Sequence, residues 1–217
     1  MELPPAILCI GQNYAEHAIE MGHKGETELV LFMKNPASLI ANGDSIVIPT
    51  CCEDEVDYEG ELAVFIAEDC KDISIDEAMS YVAGYAVAND VSARVWQKQK
   101  NGGQYIRGKS FDTFCPLTQM IDANKVKDPQ SLAIKTTLNG NVMQESSTAR
   151  MIRGVAELIS DLSTDMTLLK GTILLTGTPS GVGVARNPKV FLQDGDKVTI
   201  EIESVGTLTN TVSKKRS

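Results

Sequence analysis

The sequence predicts an α+β fold, rich in strands with a few short helices, on three observations. Apolar runs with period-two alternation recur through the second half, a strong hairpin dipeptide joins two of them, and no regular strand–helix alternation marks a doubly wound sheet. Residues 6–10 (AILCI) read as a short buried strand, and Asn13 to Met21 has helical spacing, stopped by Gly22 as a C′ residue. Ser45 to Ile48 is a strand ended by Pro49, and Glu61 to Ala67 (ELAVFIA) is rich in β-formers. A helix follows Ser74, with Glu77 in capping-box position, and residues 81–91 (YVAGYAVANDV) read as extended and buried. Further on, Leu132 to Leu138 alternates into the Asn139-Gly140 turn, and Val142 and Met143 return. A helix from about Thr148 to Leu162 carries Met151, Val155, Leu158, Ile159 and Leu162 on one stripe. Gly171 to Thr176 is a strand entering the Gly-rich turn TGTPSGVG, and two alternating strands around Val205-Gly206 end the chain.

No repeat or linker interrupts the 217 residues, so 1–217 reads as a single domain. With 42% hydrophobic and 23% charged residues, the chain can bury an ordinary core, and 5% aromatics means that Val, Ile, Leu and Ala build it. A net charge of −9 excludes the basic footprint of a nucleic-acid binder, and Lys214-Lys215-Arg216 reads as a solvated tail. The five cysteines show no paired spacing, and their odd number fits a reducing compartment. The N-terminus lacks the pattern of a secretory leader, and no stretch approaches the ~20 apolar residues of a membrane span. The expectation is a soluble, cytoplasmic protein without nucleic-acid or membrane partners.

Chemistry first shows at Asp57-Tyr58-Glu59-Gly60-Glu61. In an extended segment Glu59 and Glu61 share a face, with Leu62, Val64 and Ile66 on the other. Paired carboxylates are costly in a core unless a cation joins them. Asp90, at the end of the apolar stretch AVAND, is an equally anomalous acid. Oxygen-only ligands suit hard cations such as Mg²⁺, Mn²⁺ or Ca²⁺. Spacing alone leaves a solvated strand edge as the alternative.

The ordered stretches GQNYAEHAIEMG (11–22), LFMKNPASL (31–39), DYEGELAVFI (57–66), VANDVSAR (87–94), GKSFDTFCP (108–116), QESSTARMI (144–152), LLTGTPSGVG (174–183) and LQDGDKVTIEIESVGTL (192–208) resemble the fumarylacetoacetate hydrolase family, in its short single-domain members. The resemblance implies a mixed β-sandwich roll with short outer helices, a homodimer, and Mg²⁺ or Mn²⁺ on Glu59, Glu61 and Asp90. It implies action on a small 2-oxo acid: carbon–carbon cleavage through a metal-stabilised pyruvate enolate, by acylpyruvate hydrolysis or oxaloacetate decarboxylation. The alternatives are an isomerase or tautomerase of 2-oxo or 2-hydroxydienoic acids, and a metal-binding scaffold without turnover.

His17 and Glu20 lie three apart on the first predicted helix and so share a face. The resemblance makes them the dyad of hydrolytic and decarboxylating members, the carboxylate orienting the imidazole as general base toward water, which favours cleavage over isomerisation. Lys109, between Gly108 and Phe111, is expected to point into the site and stabilise an enolate. Arg94 and Gln97 follow Asp90 by four and seven residues, on one face of a helix starting near Val91; by resemblance they hold the substrate carboxylate, as does Thr178. Gly177, Gly181 and Gly183 are read as backbone devices, since no G-K-[ST] follows to make a P-loop. His23 reads as an ordinary loop residue, and the polar stretch from Gly22 to Glu28 as a candidate lid.

Overall fold

A computed structural model describes residues 3–22, 29–98 and 100–215. His23, most of the candidate lid and Arg216 of the basic tail lie outside the described residues. The first half runs β1 (Ile7–Gly11), α1 (Ala15–Glu20), β2 (Val30–Lys34), β3 (Leu39–Ala41), β4 (Ser45–Ile48), β5 (Val56–Asp57), β6 (Gly60–Ile66), α2 (Ile75–Ala78) and β7 (Val82–Asn89). Next come β8 (Ser92–Ala93), α3 (Arg94–Lys98), α4 (Ile106–Lys109), β9 (Cys115–Leu117) and β10 (Ile121–Asp122). The chain continues with β11 (Ala133–Leu138), β12 (Asn141–Ser147), α5 (Val155–Ser163), β13 (Ile173–Leu175), β14 (Lys197–Ile202) and β15 (Gly206–Lys214).

An eight-stranded mixed sheet has the order β2-β1-β13-β6-β7-β9-β3, with β10 also on β7. Its period-two residues sort to two cores. Leu62, Val64 and Ile66 of β6 and Tyr85 and Val87 of β7 face the larger one. Ala63, Ala86, Ala88, Cys9 and Cys115 form the smaller one with Ile7, Leu117, Ile173 and Leu175, and Phe32 of β2 and Leu39 of β3 also pack against it. β2 and β3 stand at opposite ends of the strand order, so the sheet rolls around this cluster. Gly84 permits the bend: a Cβ there would lie 2.1 Å from the Ile121 carbonyl oxygen.

The second sheet, β12-β11-β14-β15-β4, closes the larger core with Ile134, Val198, Ile200, Ile202, Leu208 and Val212. Its hairpin is the predicted one, with φ of 52° at Asn139 and 82° at Gly140, as a type I′ turn requires. Opposite Thr136 and Thr137 the β12 register slips by one residue, and Met143 and Gln144 are both buried. Such a bulge breaks the alternation and turns a side chain inward.

The long helix expected from Thr148 is shorter. Residues Thr148–Arg150 form one 3₁₀ turn, Met151 bridges to Tyr14, and the α-helix starts only after Gly154. The cause is tertiary: Asn13 accepts the Arg153 N–H at 2.9 Å and donates to the Arg153 carbonyl at 2.9 Å, pulling that backbone away from helical pairing. Likewise α3 begins at Arg94 and not near Val91, because Ser92 and Ala93 pair with Asp57 and Val56. Among the described residues no helix is long and apolar enough to cross a membrane.

Helix α5 rests Val155, Leu158, Ile159 and Leu162 in the larger core, as the sequence stripe predicts. Leu158→Ala should therefore lower unfolding free energy by about 2–5 kcal/mol, read as a shifted urea midpoint at unchanged m-value.

Candidate active site

Among the described residues seven charged side chains other than histidine are buried: Lys34, Asp57, Glu59, Glu61, Asp90, Arg94 and Lys109. They sit at one place, where β6 begins and β7 ends. Gly60 pairs with Asn89, which sets Glu59 and Asp90 side by side, and the Asp90 N–H donates to the Glu59 carbonyl at 2.8 Å. One ligand oxygen from each of Glu59, Glu61 and Asp90 lies within 4.8 Å of the others. The E-x-E pair thus belongs to a buried strand end, and the solvated-edge alternative is excluded.

The cations thread through this cluster. Lys109 Nζ contacts Glu59 Oε2 and Asp90 Oδ2, each at 2.6 Å, and stands 5.2 Å from the centre of the Phe32 ring. Lys34 Nζ bonds Asp90 Oδ1 at 2.5 Å and the Val91 carbonyl at 3.2 Å. Arg94 forks onto Asp57 Oδ2 through Nε and Nη2 at 2.9 and 2.7 Å, while Nη1 meets Glu59 Oε1 at 2.7 Å and Gln97 Oε1 at 3.0 Å. Asp57 also accepts the Gly183 and Val184 N–H groups at 2.8 and 3.0 Å.

Charge accounting singles out Glu61. Four carboxylates (Asp57, Glu59, Glu61, Asp90) against three cations (Lys34, Arg94, Lys109) leave one negative charge in excess. Glu61 has no ion-pair partner among the described residues and accepts only the Gly177 N–H, at 2.7 Å. Its burial, then the nearby Asp90 and Glu59 charges, push its carboxyl well above the usual range. Burial acts on Glu59 in the same direction, but Lys109 and then Arg94 outweigh it and hold that carboxyl well below the usual range. Lys109 shows that the gap between Glu59 and Asp90 takes positive charge, and Glu61 is the acid still short of it. An all-oxygen donor set in that setting fits a hard divalent cation.

Across the cleft, α1 carries the dyad. His17 Nδ1 lies 2.7 Å from Glu20 Oε1, leaving Nε2 as the ring nitrogen for a ligand. Glu20 is held in turn by the Gly181 N–H, 3.1 and 2.9 Å from its two oxygens. Gly181 has φ of 104°, and a Cβ there would lie 2.1 Å from the Met143 carbonyl oxygen, so only glycine serves. Asn13 pins the start of this helix to the Gly-rich turn through the Thr176 carbonyl at 2.8 Å.

His17, Glu59, Glu61, Arg94, Gln97, Lys109 and Thr178 line one cleft with Phe32 and Tyr105; Asp90 and Glu20 stand behind its wall. The nine residues singled out in sequence are thus gathered at one site. The structure binds three of them more tightly than their expected free roles imply. Lys109 is engaged by carboxylates, Arg94 is committed chiefly to Asp57 and Glu59, and the Thr178 hydroxyl donates to the Gly60 carbonyl at 2.9 Å. Lys34 and Asp57, which pair with Asp90 and Arg94, were missed. Lys34 carried a signal, since period two in VLFMK pairs it with Phe32, but the inward side of β2 was not visible from the sequence.

A family model described as fumarylacetoacetate (FAA) hydrolase C-terminal matches residues 6–213. The mitochondrial oxaloacetate tautomerase FAHD2A of Bos taurus is 45% identical over 210 residues, covering 96% of this chain and 67% of that protein. The solved 5-carboxymethyl-2-hydroxymuconate delta-isomerase of Mycobacterium smegmatis matches with a TM-score of 0.86 and 40% identity, over 99% of this chain and 81% of that one. For fumarylacetoacetate hydrolase from Exiguobacterium antarcticum the TM-score is 0.89 and identity 39%, over 98% and 76%. One expectation needs correction: the bovine and Xenopus laevis relatives are named mitochondrial, so the cytoplasmic assignment does not stand. Free thiols report a reducing environment and not an address, which is why cysteine usage misled. The roll-shaped fold, the buried acids and these matches agree, and the chain belongs to the fumarylacetoacetate hydrolase family.

Proposed function

We propose that the chain is a Mg²⁺- or Mn²⁺-dependent enzyme that moves a proton at C3 of a small 2-oxo acid, interconverting keto and enol forms of an oxaloacetate-like substrate. The observation that carries this reading is the dyad: His17, its Nδ1 pinned by Glu20, faces Glu59 and Glu61 across one cleft. Relatives named as oxaloacetate tautomerase and as a hydroxymuconate isomerase support it, because both reactions are proton transfers beside a 2-oxo group.

Glu59, Glu61 and Asp90 would hold the ion, which supplies Lewis acidity toward the 2-oxo oxygen. The remaining steps belong to the chain. The turn at Thr178 and the Gln97 amide would receive a substrate carboxylate, and Arg94 would act mainly by fixing Glu59 and Gln97. His17 Nε2 takes the C3 proton as the C2–C3 double bond forms and negative charge moves onto O2. Return of that proton from the His17 imidazolium to O2, directly or through solvent, completes the enol, and the reverse path restores the ketone. Lys109, kept protonated by Asp90 and Glu59 against the effect of its burial, adds positive charge near O2.

Carbon–carbon cleavage, by acylpyruvate hydrolysis or oxaloacetate decarboxylation, is the second reading. The same dyad favours it, since an oriented imidazole can equally activate water. Purified protein given oxaloacetate and Mg²⁺ separates the two: enol absorbance in the ultraviolet follows tautomerisation, and coupled lactate dehydrogenase follows pyruvate. Pyruvate release matching substrate loss, with no faster enol–keto exchange than buffer, would sink the tautomerase reading. His17→Ala should slow the exchange by about 10²–10⁴-fold.

Metal binding has its own test in the melting temperature. Glu61 is raised above its ordinary value, so its contribution to stability is full below the ordinary carboxyl range, is lost as pH climbs from there through the raised value, and stays lost above it. A divalent cation offsets this loss. At pH 8, Mg²⁺ at a hundredfold excess over Kd should raise Tm by roughly 5–10 °C, and the gain should shrink towards pH 5 as protons compete. Glu61→Gln should melt above the wild type in EDTA at pH 8 and lose the Mg²⁺ response; a lower Tm in EDTA would contradict the excess-charge account.

A further inference from the structure

Gln144 lies on β12, in the sheet that carries none of the residues assigned above, yet it reaches the centre of the site. The bulge at Met143–Gln144 turns it inward, where it is 1% exposed. Its Oε1 accepts the Gly60 N–H at 3.0 Å. Its Nε2 donates to Thr178 Oγ1 at 2.8 Å and to the Pro179 carbonyl at 2.9 Å. The orientation of the amide is forced. The Pro179 carbonyl can only accept, and the Thr178 hydroxyl spends its hydrogen on the Gly60 carbonyl at 2.9 Å.

These bonds close a ring, Gln144 to Gly60 to Thr178 and back. Gly60 is the residue between Glu59 and Glu61. Thr178 and Pro179 form the turn that follows Gly177, whose N–H holds Glu61. Pro179 has no N–H of its own, so its carbonyl is the handle by which the turn is tied down. Nothing larger than Gly60 fits at the junction, since a Cβ there would meet Thr136 Oγ1 at 2.4 Å. One amide side chain thus spans the strand that bears two of the acids and the turn on the other wall of the cleft.

The geometry points to Gln144 as a positioning residue for substrate: acting through Thr178 and Gly60, it sets the spacing between the carboxylate-receiving turn and the acidic strand. This rests on the reading of the Thr178 turn as the seat of a substrate carboxylate. Gln144 touches no reacting atom in that scheme, so its loss should weaken substrate binding more than it slows the chemical step.

The test uses the full chain with Mg²⁺ and oxaloacetate. Gln144→Met, close in volume but without the amide, should raise KM about tenfold while kcat stays within about threefold. Gln144→Glu keeps the acceptor for Gly60 but turns an oxygen on Pro179, and should raise KM at least as much; it carries the test if Gln144→Met does not fold. A merely structural role would lower Tm without separating KM from kcat. An unchanged KM, or a fall in kcat alone, overturns the proposal. Thr178→Val combined with Gln144→Met should raise KM by less than the product of the single effects, and multiplicative effects overturn the route through Thr178. If the wild type does not act on oxaloacetate, the functional reading fails and amide hydrogen exchange decides on Gln144 alone. Faster exchange at Gly177 and Gly181 in Gln144→Met, with strand amides unchanged, upholds the positioning role, and unchanged exchange at both overturns it.

Discussion

Four buried carboxylates held beside three buried cations are the constraint from which the rest of this molecule is organised. Moving a carboxylate out of water costs several kcal/mol even after relaxation, and attraction offsets this only where geometry and hydrogen bonds are good. Here they are good for three of the four. Asp57 has Arg94 and two loop N–H groups, Glu59 has Arg94 and Lys109, and Asp90 has Lys34 and Lys109. Among the described residues Glu61 has a single backbone N–H. The network therefore leaves its least compensated carboxyl at Glu61, which lines the cleft and could hold a cation together with Glu59 and Asp90.

The rolled sheet serves this network directly. The smaller core, where Cys9, Ala63, Ala86, Ala88 and Cys115 sit among Ile7, Leu117, Ile173 and Leu175, lies inside the roll, and β2 brings Lys34 to Asp90, just past the end of β7. The second sheet reaches the site through the β12 bulge, and the Gly-rich turn reaches it through Gly177, Gly181 and Gly183. Those three glycines bond an acid each, to Glu61, Glu20 and Asp57. What resembles a phosphate cradle in sequence is a row of N–H donors to the protein's own carboxylates.

Much of the site was legible beforehand, and unevenly. Glu59, Glu61 and Asp90 drew notice as acids in apolar runs and His17 with Glu20 as a pair on one helical face, but the family resemblance, not the spacing, made them site residues. Leu62, Val64 and Ile66 fell on the predicted side of β6. The helix expected from Thr148 was less faithful. Its apolar stripe is real in α5, but Asn13, far away in the chain, claims the backbone at Arg153 and ends the pattern early. Strands β3 and β9, three residues each, are too brief for periodicity to register.

Period and composition act between near neighbours, so the sequence alone determined which segments alternate, which acids are out of place and which pair shares a helical turn. Only the tertiary structure decided who neutralises whom. Lys34 and Asp90 are 56 residues apart, Arg94 and Asp57 are 37 apart, and Gln144 and Thr178 are 34 apart, joined across different strands and loops. Ionic and hydrogen-bonding partners are chosen by distance in space, and that distance is set by how far the sheet rolls. The three carboxylates could be named from the chain; that one of them is left short of a positive charge could not.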